Sequence, residues 1–170
     1  PVTPDFTPVV KDNNLQQVTN KVAGLQESRK LIYSLTTTAQ IANLEILLDN
    51  EQRLIVEYSS NTGMEHSTVA SGFRINDVVT ENYLSASTRY NTFLFYTGRH
   101  KFAGTMELRN IGGLIFASCN AQQEWGKDNE TFTIINRNMQ GFLELPQTGI
   151  NKIYIAGRFN AGLTINIYRI

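Results

Sequence analysis

From residue 41 onward apolar side chains recur at every second position, and almost nothing with helical spacing lies between the runs. A strand sends alternate side chains to opposite faces, so this period demands sheets with one buried and one wetted side. In residues 41–60, Leu44, Ile46 and Leu48 alternate with Glu45 and Leu47. The polar Asp49–Gln52 interrupts, and Leu54, Val56 and Tyr58 then line one face. This segment reads as a β-hairpin. Residues 91–109 repeat the form around Gly98, with Phe93 and Phe95 on one face and Phe102, Thr105 and Met106 in the returning strand. Gly112-Gly113 introduces a further strand, and residues 131–136 and 141–145 read as two more, separated by Arg137–Gln140. The final segment, 152–170, gives two strands around a glycine-rich turn, with Leu163, Ile165 and Ile167 alternating with Thr164, Asn166 and Tyr168. The chain ends on a strong strand, which is expected to be built into a sheet.

Some eight short strands without helical crossovers exclude a βαβ fold. They indicate an all-β chain, an antiparallel β-sandwich of jelly-roll-like type. With 170 residues the chain is long enough for one well-buried core, placed by this reading over 33–170.

The start of the chain is different. Residues 1–11 hold three of the four prolines and read as an extended arm, apolar enough through Phe6, Val9 and Val10 to dock along a groove or sheet edge. Over 12–32, Leu15, Val18, Val22 and Leu25 follow the 3-4-3 spacing of a coiled coil, continued by Ile32. Asp12 or Asn13 can cap the helix, and Gly24 weakens it. About two heptads are too short to be stable alone. The stripe needs a surface, either other copies of itself or its own β-domain.

Charge is balanced, 15 basic against 15 acidic residues, and charged residues make up only 18% of the chain. Without a basic block, nucleic-acid binding is not expected. Asn, Thr, Ser and Gln take up the difference, a balance that suits strands with one polar face and surfaces that pair with other chains or with sugars. The single cysteine, Cys119, excludes an intrachain disulfide and a cysteine zinc site. No run approaches the length of a transmembrane helix, so no membrane insertion is expected.

Catalytic groups are not clustered. His66 and His100 sit in polar, turn-like contexts, and Cys119 reads as a small buried hydrophobe. Glu45, Glu57, Glu107 and Glu144 fall in strands where a solvated face explains them. No nucleophile elbow, zincin motif or phosphate-binding loop occurs, and residues 126–131 lack calcium-loop spacing. No enzymatic activity, cofactor or metal is expected. Binding chemistry has three candidates, of which the last, Arg158–Gly162, reads most simply as a turn. Trp125, with Gln123, Asp128 and Asn129 beside it, combines an aromatic face with the amide and carboxylate groups that sugar hydroxyls use. Arg99 and His100 mark a hairpin tip flanked by aromatics.

A proline-rich apolar peptide, a short coiled segment and a polar-rich β-domain follow one another along the whole chain. This layout resembles that of trimeric attachment proteins of viruses and bacteriophages. The resemblance implies an N-terminal part docked on the virion through residues 1–11, a homotrimer set by Leu15, Val18, Val22 and Leu25, and a β-sandwich head on the virion surface that meets a host glycan or protein receptor. A jelly-roll capsid or decoration subunit is the alternative, and a carbohydrate-binding module a further one.

Overall fold

The two-residue period is obeyed almost everywhere, and it sorts the strands into two facing sheets. The computed structural model describes Gln17 and residues 29–64, 70–80, 82–85, 87–90, 92–96, 100–125 and 133–170. Among these residues there are twelve strands, all paired antiparallel. The larger sheet runs in the order β1 (Lys30–Thr36), β12 (Thr164–Arg169), β3 (Arg53–Ser60), β8 (Phe102–Ile111), β9 (Leu114–Trp125), β10 (Thr133–Leu143), β5 (Tyr83–Ser85) and β6 (Thr88–Tyr90). The smaller runs β2 (Ile41–Glu51), β11 (Ile150–Phe159), β4 (Ala70–Ile75) and β7 (Phe93–Tyr96). Set aside β5, β6, β9 and β10, and the remaining eight strands form β1-β12-β3-β8 facing β2-β11-β4-β7. That is the strand order of a jelly roll. The expected all-β sandwich is present, with the two inserted strand pairs widening one sheet.

The local pairing differs from the sequence reading in an instructive way. None of the three long segments read as hairpins is one: β2 and β3, β7 and β8, and β11 and β12 each lie in opposite sheets. Alternation tells which side chains are buried, but two apolar stripes are equally buried side by side in one sheet or face to face across the core. Polar turns between them fit both. A tight hairpin is instead formed by β8–β9, where Gly112 and Gly113 have φ of +61° and +89°. Both central residues need φ > 0 in such a two-residue turn, and Asn110 Oδ1 accepts the Gly113 N–H at 3.1 Å. The presumed break at Arg137–Gln140 is the middle of β10. Met139 turns inward opposite Cys119 there, while Asn138 and Gln140 point out.

At the N-terminus β1 begins at Lys30, so the last three positions of the expected 12–32 helix are strand. Tyr33 and Leu35 lie opposite the core residues Ile167 and Ile165, and this pairing outweighs the heptad spacing that included Ile32. Leu15, Val18, Val22 and Leu25, and the arm 1–11, lie outside the described residues.

The core is one cluster drawn from both sheets. Leu54, Val56, Met106, Leu108, Ile165 and Ile167 of the larger sheet and Ile46, Phe73, Ile75, Ile153, Ile155 and Phe159 of the smaller belong to it. Glu51, buried at the end of β2, is gripped through both carboxylate oxygens by Arg169 of β12, which ties the two sheets together at one end (Nε–Oε2 2.6 Å). Tyr83 does a similar job at the wider sheet's far side. Its ring meets Phe93 edge-on at 4.7 Å. Its hydroxyl accepts the Ile75 N–H and donates to the Val78 carbonyl, both at 2.9 Å. Burial pushes the phenol up to about 12. Tyr83→Phe would strip the partner from two buried backbone groups. It is therefore expected to cost about 1–3 kcal/mol in urea denaturation; no change in midpoint would show that the hydroxyl contributes nothing.

Candidate binding face

Because strand faces alternate, the residues that do not enter the core are collected on the outer face of the larger sheet, where the register aligns them in rows. The first row across β1, β12, β3, β8, β9 and β10 is Thr36, Thr164, Ser59, Ala103, Gln122 and Asn136. The second, one pleat further along, is Ser34, Asn166, Glu57, Thr105, Asn120 and Asn138. Hydroxyls and amides fill these rows except at Ala103 and Glu57. Most of the positions are exposed. They line an open depression of about 690 Å³ over β12, β3, β8, β9 and β10.

The one formal charge in the two rows is paired: Arg29 binds Glu57 and lies over the Tyr168 ring, 4.0 Å from its centroid. Ser34 Oγ donates to Asn166 Oδ1 at 2.7 Å, and the Thr36 and Thr164 hydroxyls share a bond at 3.1 Å. The result is a broad, uncharged field of donors and acceptors. It lacks the aromatic, methionine and arginine anchors of a buried protein–protein interface core. A ligand that is itself a lattice of hydroxyls matches it group for group.

No family model matches the sequence, and no curated protein matches it either.

Further along the same face the character changes. The next rows bring Ile55, Glu107, Ser118 and Gln140, then Arg53, Arg109, Phe116, Phe142, Leu84 and Arg89. A second depression of about 500 Å³ lies here, lined by Arg109, Ile111, Phe116, Ser118, Gln140 and Phe142 among others. The Phe116 and Phe142 rings lie 5.6 Å apart. Glu107 accepts from Arg109 (Nε and Nη2, both 2.8 Å) and from Arg53 (Nε 3.0 Å, Nη2 2.7 Å). Hydrogen bonds from Arg109 above all, then from Arg53, hold its carboxyl at about 2 despite partial burial.

Of the residues expected to bind a ligand, Gln123 is placed otherwise than expected. It does not stand in a loop: β9 runs on to Trp125, and Gln123 points inward between Phe102 and Ile135, 1% exposed. Its amide has no hydrogen-bond partner among the described residues. Its neighbour Gln122 is the one on the outer face. Alternation decides this, because a strand that buries Cys119 and Ala121 also buries 123 and exposes 122. The Trp125 backbone pairs with Thr133, while its side chain, Asp128, Asn129 and Arg99 lie outside the described residues. His100 is half-buried just before β8. These residues are therefore not brought together into one site by anything described. The sequence reading missed the face itself, although its signal was present: Ser118, Asn120 and Gln122 on β9, and Asn136, Asn138 and Gln140 on β10, recur at every second position.

The four glutamates expected on solvated strand faces are each partnered, Glu45 with Lys152, Glu57 with Arg29, Glu107 with two arginines and Glu144, which lies just past the end of β10, with Arg89. Among the described residues no group of three His, Cys, Asp or Glu side chains could hold a metal, and no helix is long and apolar enough to cross a membrane. Cys119 is buried, with its sulfur 3.4 Å from the Tyr58 hydroxyl.

The depressed carboxyl of Glu107 sets a pH dependence. A carboxylate whose folded value is lowered from 4.5 to about 2 contributes stability that is complete above pH 4.5 and lost as pH falls toward 2. The difference in urea midpoint between wild type and Glu107→Gln should accordingly shrink across that window. A constant difference from pH 5 to pH 2 would contradict it.

Proposed function

We propose that this chain is a non-enzymatic attachment protein, whose β-domain is a head that binds a host-surface glycan through the outer face of the larger sheet. One observation carries the reading: two successive rows of hydroxyl and amide side chains, with their single charge internally paired, line an open depression across five strands. Neutral hydrogen-bonding side chains in a pre-formed sheet recognise polyhydroxylated ligands at little ordering cost, because the strands already hold the backbone in place. On this reading Gln122, Asn120, Asn136 and Asn166 replace the Trp125 loop as the principal contacts.

Strand β1 starts with Lys30 opposite Arg169, so the chain before it enters the larger sheet at the end that carries Arg53 and Arg109. The coiled stripe of Leu15, Val18, Val22 and Leu25 would set a homotrimer and residues 1–11 would dock on the virion. A second reading, a capsid or decoration subunit, draws on the jelly-roll strand order, which shells and lectins share.

Two measurements on the whole chain separate these readings. A glycan array should give a signal that Asn120→Leu/Gln122→Leu reduces about tenfold or more, since each lost hydrogen bond is worth roughly 1 kcal/mol and buried ligand groups are left unpaired. Light scattering should give three chains per particle, falling to one when residues 1–28 are removed. Glycan binding by a monomer would point to a carbohydrate-binding module. Large assemblies without glycan binding would point to the shell subunit.

A further inference from the structure

We infer that the glycan bound by this face is acidic, with its carboxylate seated on Arg109 beside the Phe116–Phe142 pair. The inference rests on the glycan reading above and specifies the ligand class. The second depression carries an excess of positive charge. Two guanidiniums, Arg53 and Arg109, share one carboxylate, Glu107, and all three stand on the outer face of the adjacent strands β3 and β8. The low folded value of Glu107 keeps it ionised, so the cluster carries one uncompensated positive charge. The next pair on the face, Arg89 with Glu144, is neutral.

Geometry then selects what that charge can take. Glu107 occupies the Nε–Nη2 edge of Arg109, which leaves the end-on pair of N–H groups for a second anion. Arg109 is thereby held in one orientation while about half exposed, the combination that a fork-like contact with a carboxylate needs. Phe116 and Phe142 offer apolar ring faces within the same 500 Å³ depression, and Ser118 and Gln140 offer hydroxyl and amide groups. A sugar acid presents each complementary feature: an anionic edge, a C–H face and hydroxyls. Ser118 and Gln140 sit one pleat from Asn120 and Asn138, so the two depressions form one continuous surface along β9 and β10. From Gln122 to Phe116 it extends roughly 20 Å at about 3.4 Å per residue. An oligosaccharide with neutral units over the first rows and an acidic unit at Arg109 would cover it.

The test compares three probes on the full chain by calorimetry: a uronate-containing oligosaccharide, its carboxyl-reduced counterpart, and a sulfated form of the latter. The uronate form should bind about tenfold or more tightly than the reduced form, as expected for a charge-assisted pair. Arg109→Gln should erase that preference, bringing the uronate and reduced forms to the same affinity. Arg109→Lys should restore it only in part. Sulfate matching the carboxylate would widen the class to acidic sugars of either kind; a sulfated probe binding no better than the reduced one would restrict it to carboxylates. Equal binding of the uronate and reduced probes, insensitive to Arg109→Gln, would overturn this inference and leave the glycan reading standing. Binding of none of the three would count against both. A cooperative thermal transition in each variant, lowered no further than that of Glu107→Gln, confirms that a lost preference is not a lost fold.

Discussion

Both sheets are closed by the last stretch of the chain. Strand β11 lies between β2 and β4, and β12 lies between β1 and β3, so Ile150–Arg169 supplies an interior strand to each sheet. Ile150, Ile153, Ile155, Phe159, Leu163, Ile165 and Ile167 are completely buried. At about 1.5–3 kcal/mol per buried side chain, this segment outweighs any single polar contact in the domain. Its partners are distant in sequence, Lys30 for Arg169 and Ile41 for Phe159. Neither sheet is complete until the final strands arrive, and such non-local pairing makes folding slow as well as cooperative. Glu51 and Arg169 seal the same junction from the polar side.

That dependence explains how much of the fold was legible. Leu54, Val56 and Tyr58, and Leu163, Ile165 and Ile167, were readable as buried stripes because a strand has only two faces and the core takes one. Which sheet each stripe belonged to was not readable. Leu48 and Leu54 could have been neighbours in a hairpin or opposite each other across the core, and the same alternation describes both. The break assumed at Arg137–Gln140 failed for a related reason: a polar run looks like a turn, yet Asn138 and Gln140 are polar only because the outward face is. Asn76 illustrates information absent from any local pattern. Its side chain bonds Gln147, Gly149, Asn151 and Lys152, fastening the end of β4 to the approach to β11.

The candidate face follows from the same alternation. Once the core has taken one side of β3, β8, β9, β10 and β12, the other side is what remains of the sequence, and there it is hydroxyls and amides. Gln123 and Gln122 show how sharply the pleat divides these roles, with adjacent glutamines assigned to the interior and to the surface. An abundance of Asn, Thr, Ser and Gln was visible from composition, but only the cross-strand register turns it into aligned rows. The arginines belong to the same logic: Arg53 and Arg109 converge on Glu107 because paired strands place them within reach.

The central claim, that this outer face is where a ligand is read, is tested most directly by a ¹⁵N spectrum of the isotopically labelled chain during titration with an acidic oligosaccharide. The side-chain amide pairs of Asn120, Gln122, Asn136 and Asn166 should shift together and saturate. Those of Asn43 and Asn151, on the smaller sheet, should stay in place. Shifts confined to the second group, or to neither at saturating ligand, would contradict the account.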